Sequence, residues 1–182
     1  MSVQTRPLSL DEWEAFRLGR LVAAERAPYF MHALFAAAPV AAPGLGTFAV
    51  DGGWRLYLDP DLLVGEGRWD SATVAAVLLH EVGHLLRDHA GRAANLPTPR
   101  HQLAWNLAGD AEINDDLIAA GVPLPEGCVT PAALGCPDGD LAETYYAALV
   151  PPEGDPAGAG LPDDDSAGCG SGSGCPPVPG EL

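Results

Sequence analysis

The sequence predicts an α+β chain that is mainly helical, with one small antiparallel hairpin and a disordered C-terminal tail. Three observations predict it. Apolar residues recur at helical spacing in several segments. Only residues 47–58 alternate apolar and polar positions about a tight turn. The last segment, residues 151–182, holds seven prolines, eight glycines, six acids and no base, a composition that cannot bury a core. Residues 1–150 therefore read as one domain of ordinary size, and residues 151–182 as an acidic tail or linker.

The elements follow in order. Ser9 and Glu12 form a capping-box pattern ahead of Trp13, Phe16, Leu18 and Leu21, which predicts a helix over 10–26. Pro28 suits the first turn of a second helix carrying Phe30, Leu34 and Phe35 to about Ala38. Pro39 to Gly46 reads as a breaker-rich loop. Phe48 and Val50, the turn Asp51-Gly52-Gly53, then Trp54, Leu56 and Leu58 make the hairpin. Asp70 or Ser71 caps a helix through Val77, Leu79, Val82 and Leu86 that is apolar nearly all round, the mark of a buried central helix. Gly91 and Pro97-Thr98-Pro99 end that unit, and another helix spans about 101–120, closed by Gly121 and Pro123. Asp140 and Glu143 cap a last helix with Tyr145 and Tyr146 on its packing face.

Charge narrows the function classes. The chain has 182 residues, 25 acids against nine bases, and a formal net charge of -16. Every base is arginine. Such a chain repels phosphate backbones and anionic lipid, which excludes nucleic acid and membrane surfaces as first partners. The first 17 residues lack the apolar run of a secretory signal, and no segment has the roughly 18 uncharged apolar residues of a membrane span. With no such signal, the expected setting is the reducing cytoplasm with free thiols at Cys128, Cys136, Cys169 and Cys175. Their spacings are not those of a zinc ribbon.

Polar groups on a buried helix need a purpose, because burying them unpaired is costly. His80-Glu81-Val82-Gly83-His84 is an HExxH motif inside the most apolar helix of the chain. Residues i and i+4 stack on one face about 6 Å apart, a span one metal ion bridges with two imidazoles. Glu81 lies beside them, placed to take a proton from a water that the ion activates. A hydrolytic zinc site needs a third protein ligand and an open position. Asp110 is one candidate: Asn106, Asp110 and Asn114 form a polar stripe at i, i+4 and i+8 on an otherwise apolar helix. His89 is another, but five residues on a continuous helix rotate it about 140° from His84, so it reaches the ion only if the helix ends early. Glu112 is a third. The reading adopted is Asp110, with His89 as a partner behind the ligands. His32 and His101 read as ordinary core or surface histidines.

The stretches HEVGHLLRDHAGR and WNLAGDAEINDDL, followed by LPEGCVTPAALGCPDGDLAETYYAAL, resemble the bacterial metallopeptidase domain found N-terminal to von Willebrand factor A-like domains. The resemblance covers about residues 10–150. It implies a zincin-like fold, zinc as the metal, and a peptide or protein substrate. The layout is similar to that of gluzincins, whose third, acidic ligand sits on a later helix with an acid four residues on. The matching pair here is Asp110, as ligand, and Asn114, holding a ligand histidine from behind. Aspartate for glutamate departs from the gluzincin pattern and bears on the coordination distance. The expected function is a zinc metallopeptidase with His80, His84 and Asp110 as ligands and Glu81 as general base. The alternative is a catalytically silent zinc-bearing scaffold working with a von Willebrand factor A-like partner. The strand 54–58 is a further expectation, as an edge along which an extended peptide could align.

Overall fold

The computed structural model describes residues 4–96 and 101–150. The tail 151–182, with Cys169 and Cys175, and the Pro97-Thr98-Pro99 segment lie outside the described residues.

Helix α1 (Leu10–Arg26) starts where the sequence places it. Ser9 accepts from the Glu12 amide while the Glu12 carboxylate accepts from the Ser9 amide, a reciprocal capping box. Arg6 adds a two-pronged ion pair to the same carboxylate, at 2.6 and 2.8 Å. The segment after Pro28 is a 3-10 turn (Pro28–Phe30) followed by α2 (Met31–Ala36).

The sheet is mixed rather than purely antiparallel. Strands β2 (Phe48–Val50) and β3 (Arg55–Leu58) form the expected hairpin, with Val50 opposite Leu56. A third strand, β1 (Ala38–Ala41), pairs parallel with β3, in the order β1-β3-β2. Its Ala-Pro-Val-Ala sequence carries no alternation, and proline lacks the amide that a central strand needs but an outer strand can spare. The strand 54–58 thus lies in the middle of the sheet, flanked on both sides, and offers no free edge to a peptide. Pro60 then opens a short helix α3 (Asp61–Val64) after the hairpin.

Helix α4 (Ser71–Leu86) is capped by Asp70, which accepts from the Thr73 amide. It is the central element: Val74 to His84 are all buried, between α1 on one side and α6 (Gln102–Ala119) on another. At the α1 crossing, a Cβ on Gly19 would lie 2.1 Å from Val74 Cγ1, so only glycine permits this approach. The unit expected to run on to Gly91 breaks instead. Asp88 takes a left-handed conformation, φ 51° and ψ 45°, and caps a new short helix, α5 (His89–Ala93). Asp tolerates that region better than most residues.

Two hydrophobic clusters flank α4 and α6. The larger joins Phe16, Phe48, Leu56, Leu78, Leu79 and Ile113. The smaller packs Trp105 and Ala108 of α6 against Tyr145 and Tyr146 of α7 (Ala142–Leu149). The tyrosines are packing residues, as their spacing suggested. Leu141, not Asp140, stands at the N-cap of α7 and makes no side-chain cap bond. The Asp140 amide donates to Tyr145 Oη, and Glu143 turns to Arg92. Among the described residues, no helix is long and apolar enough to cross a membrane.

Candidate metal centre

Helix α4 presents His80 and His84 one turn apart, and α6 presents Asp110 to both. His80 Nε2 and His84 Nε2 are 3.0 Å apart. Asp110 Oδ1 lies 3.4 Å from the first and 3.2 Å from the second. The three side chains are at most 5% exposed, and together they could hold a metal ion.

The donor set fits a metal by geometry. Two imidazole nitrogens facing each other at 3.0 Å cannot both present bare lone pairs; they need a proton or a cation between them. Asp110 Oδ1 is buried and accepts no hydrogen bond, so it converges on the same point without a donor of its own. Bonds of about 2.0 Å in a tetrahedron put ligand atoms about 3.3 Å apart, and the observed triangle has sides of 3.0, 3.2 and 3.4 Å.

Each ring is held from behind. His80 Nδ1 lies 2.8 Å from Asn114 Oδ1, while Asn114 Nδ2 donates to the Val129 carbonyl at 2.8 Å. The amide orientation therefore leaves an oxygen facing the ring, so His80 carries a proton on Nδ1 and turns Nε2 to the triangle. His84 Nδ1 lies 2.9 Å from His89 Nδ1. The helix does end early, as a role for His89 required, and Asp88 turns His89 back toward α4. It arrives behind His84 rather than in the triangle.

Electrostatics sharpen the picture. Burial pushes His84 down to about 4, helped by the charge of His80. Burial acts on His80 in the same sense, but the Asp110 carboxylate outweighs it and holds His80 up at about 9. Burial would raise Asp110 too, yet its contacts with the two histidines keep it down at about 2. Glu81 is fully buried with neither oxygen partnered, and desolvation pushes it up to about 8. A cation held by the triangle would favour the charged form of this carboxyl, the form that takes up a proton.

The shorter aspartate is matched by a close helix contact. A Cβ on Gly83 would stand 2.9 Å from Ile113 Cγ2, and one on Gly109 would stand 3.0 Å from His89 Nδ1. Gly83 faces α6 from α4, and Gly109 faces His89 of α5 and His84 of α4 from the helix that carries Asp110, one methylene shorter than glutamate. Their positions inside helices, where glycine costs about 1 kcal/mol against alanine, were the available signal.

Of the other candidates, Asn106 accepts from Gln102 on its own helix and leaves the polar stripe to Asp110 and Asn114. Glu112 is not in the triangle. It accepts from the Ala142 amide at 2.7 Å, from Arg92 at 3.0 Å and faces His89 Nε2 at 3.3 Å. Burial works to raise it, but these partners hold it down at about 2. Arg92 bridges Glu112 to Glu143, a network not anticipated from sequence. His101 caps α6 through the Ala104 amide, and His32 is exposed.

Fold and site together define a helical α+β protein with a buried His-His-Asp group suited to a metal ion, built on a motif-bearing central helix. The chain belongs to the family described as "Putative metallopeptidase domain", whose model matches residues 16–175. That match runs past residue 150 into the Pro/Gly-rich segment. No curated protein and no solved structure matches the chain.

Proposed function

We propose that this chain is a zinc-dependent metallopeptidase, with His80, His84 and Asp110 holding the ion and Glu81 as general base. The observation that carries the reading is the converging triangle of donor atoms, with the buried, unpartnered Glu81 carboxyl next to His80 on the same helix. Family membership supports a hydrolase acting on a peptide or protein. The two-nitrogen, one-oxygen donor set is one that zinc favours in catalytic sites. When bound, zinc supplies Lewis acidity, polarising a carbonyl and lowering the pKa of a water to about 7.

The chain's own residues do the rest. Asn114 and His89 orient the two imidazoles so that each points its Nε2 inward. Asp110 contributes the negative charge that offsets a dication. Glu81 accepts the proton of the attacking water at a carboxylate oxygen and returns it to the leaving amine. We assign residues 1–150 as the catalytic unit and 151–182 as its tether. The free thiols of Cys128 and Cys136 fit a reducing compartment such as the cytoplasm.

The test is metal analysis of the purified chain, followed by two variants. Glu81→Gln keeps zinc and abolishes peptide cleavage, and His84→Ala loses the ion. Unchanged cleavage by Glu81→Gln overturns the mechanism. Bound zinc with no cleavage of any peptide, and a large stability loss on chelation, assigns the chain to the scaffold role beside a von Willebrand factor A-like partner.

A further inference from the structure

A hydrogen-bonded line runs from the centre to a carboxylate two side chains away. His84 Nδ1 faces His89 Nδ1 at 2.9 Å, and His89 Nε2 faces Glu112 Oε2 at 3.3 Å. Each contact joins one donor to one acceptor, so the protons along the line are not independent. Glu112 is anchored as an anion by Arg92, at 3.0 and 3.3 Å, by Arg87 Nε at 3.3 Å, and by the Ala142 amide at 2.7 Å. It can only accept, so His89 carries its proton on Nε2. In its neutral form His89 then holds a lone pair on Nδ1, and His84 donates to it from Nδ1. That leaves His84 Nε2 bare, pointing at His80 and Asp110.

We infer that His89 is a positioning residue that fixes the tautomer and angle of His84 and relays the Glu112 charge to it. The inference rests on the metal reading above. His89 is 0% exposed. Trp105 Nε1 donates to its backbone carbonyl at 3.1 Å. Its ring meets Trp105 edge-on, with 5.9 Å between centroids. Gly109 leaves room for the ring, since a Cβ there would fall 3.0 Å from Nδ1. The two ligand histidines are therefore supported unequally. His80 leans on a neutral amide oxygen, whereas His84 leans on an imidazole backed by an arginine-held carboxylate. Charge fed through a hydrogen bond makes the ligand ring more basic, and partners of this kind contribute 10–100-fold in metal affinity.

The full-length chain tests this with zinc and cobalt as probes. In zinc-loaded wild type, nitrogen NMR of the imidazoles is expected to find His84 protonated at Nδ1 and His89 at Nε2. His89→Leu, which keeps bulk and removes the acceptor, lowers zinc affinity about 10–100-fold and alters the visible spectrum of bound cobalt. His89→Asn, whose Oδ1 can accept from His84, recovers most of the affinity. A packing role alone would move neither the tautomers nor the leucine-to-asparagine rescue. Wild type that binds zinc while His89→Leu binds equally well overturns the relay and leaves the metal reading standing. If His89→Leu does not fold, the wild-type tautomers decide: a proton on His89 Nδ1 overturns the relay. Wild type that takes up neither ion overturns the metal reading and the relay with it.

Discussion

Gly83→Ala adds one methyl group where α4 meets α6, and the structure says what that methyl meets. Its nearest neighbours are Ile113 Cγ2, Cγ1 and Cδ1, at 2.9, 3.2 and 3.3 Å. Cγ2 and Cγ1 both branch from the Ile113 Cβ, whose χ1 is stiff in a helix, so the strain is not relieved by moving one flexible tip. Overpacking of this kind costs about 1–3 kcal/mol, and the better helix propensity of alanine returns about 1 kcal/mol. The expected net loss of stability is therefore about 0–2 kcal/mol. The larger effect falls on the centre: Asp110 lies one turn from Ile113 on α6, so moving the helices apart carries it from the histidines. Metal affinity is expected to fall about tenfold, toward the low end of what misplaced support costs. Ile113→Ala removes all three atoms that the methyl would strike. Alone it costs about 2–5 kcal/mol; combined with Gly83→Ala, the two changes cost about 1–3 kcal/mol less than their sum. Urea unfolding of the four metal-free proteins measures the cycle, and zinc competition measures affinity. Additivity within about 0.5 kcal/mol, with unchanged affinity in Gly83→Ala, would refute the close-contact argument.

Other outcomes follow from the same geometry. Asn114→Leu removes the acceptor behind His80 and lowers metal affinity about 10–100-fold, read by chelator competition. Stripping zinc from a chain saturated at about 100 times its Kd removes about 2.7 kcal/mol of stability. That corresponds to a fall in Tm of about 5–10 °C by calorimetry; an unmoved Tm speaks against a bound ion. Glu12, paired first of all with Arg6, is held down at about 2 in the folded chain. A depressed carboxylate stabilises the fold above its unfolded pKa of about 4.3 and loses that contribution as pH falls toward 2. Glu12→Gln is thus expected to flatten the acid limb of the urea midpoint between those limits and to cost about 1 kcal/mol at pH 7; an acid limb identical to wild type contradicts the assignment.

What the sequence discloses depends on how local the cause is. Helix α1 is written in Ser9 and Glu12, three residues apart, and its observed bounds match the expected ones. The unbroken apolar run of α4 announces burial on every side. Strand β1 has no such signature, because what makes Ala38–Ala41 a strand is β3, more than a dozen residues later. The end of α4 turns on the backbone of Asp88 alone. Sequence could state that His89 needs an early helix end, but not that one residue would adopt the left-handed conformation supplying it. The site divides in the same way. His80, Glu81 and His84 follow from spacing within five residues, and Asp110 from a stripe on one helix. The place of Glu112 behind His89 was not legible, because its partners, Arg92 and the Ala142 amide, come from two other elements.

Aspartate at 110 and the glycines at 83 and 109 are better understood as one feature than as three. A carboxylate shortened by a methylene reaches the histidines only if its helix comes nearer. Close packing of α6 against α4 and α5 is possible only because residue 83 presents no Cβ to Ile113 and residue 109 presents none to His89. Closeness then has a second effect. It brings the rim of α6 against the turn after Asp88, so that the residue there can lean on His84 and be held by Glu112, two positions past Asp110. A glutamate ligand on a more distant helix would leave that space to water or to a larger side chain. Aspartate at 110 is thus tied to the imidazole–imidazole–carboxylate line behind the centre, since both depend on the close packing of α6 that the two glycines permit.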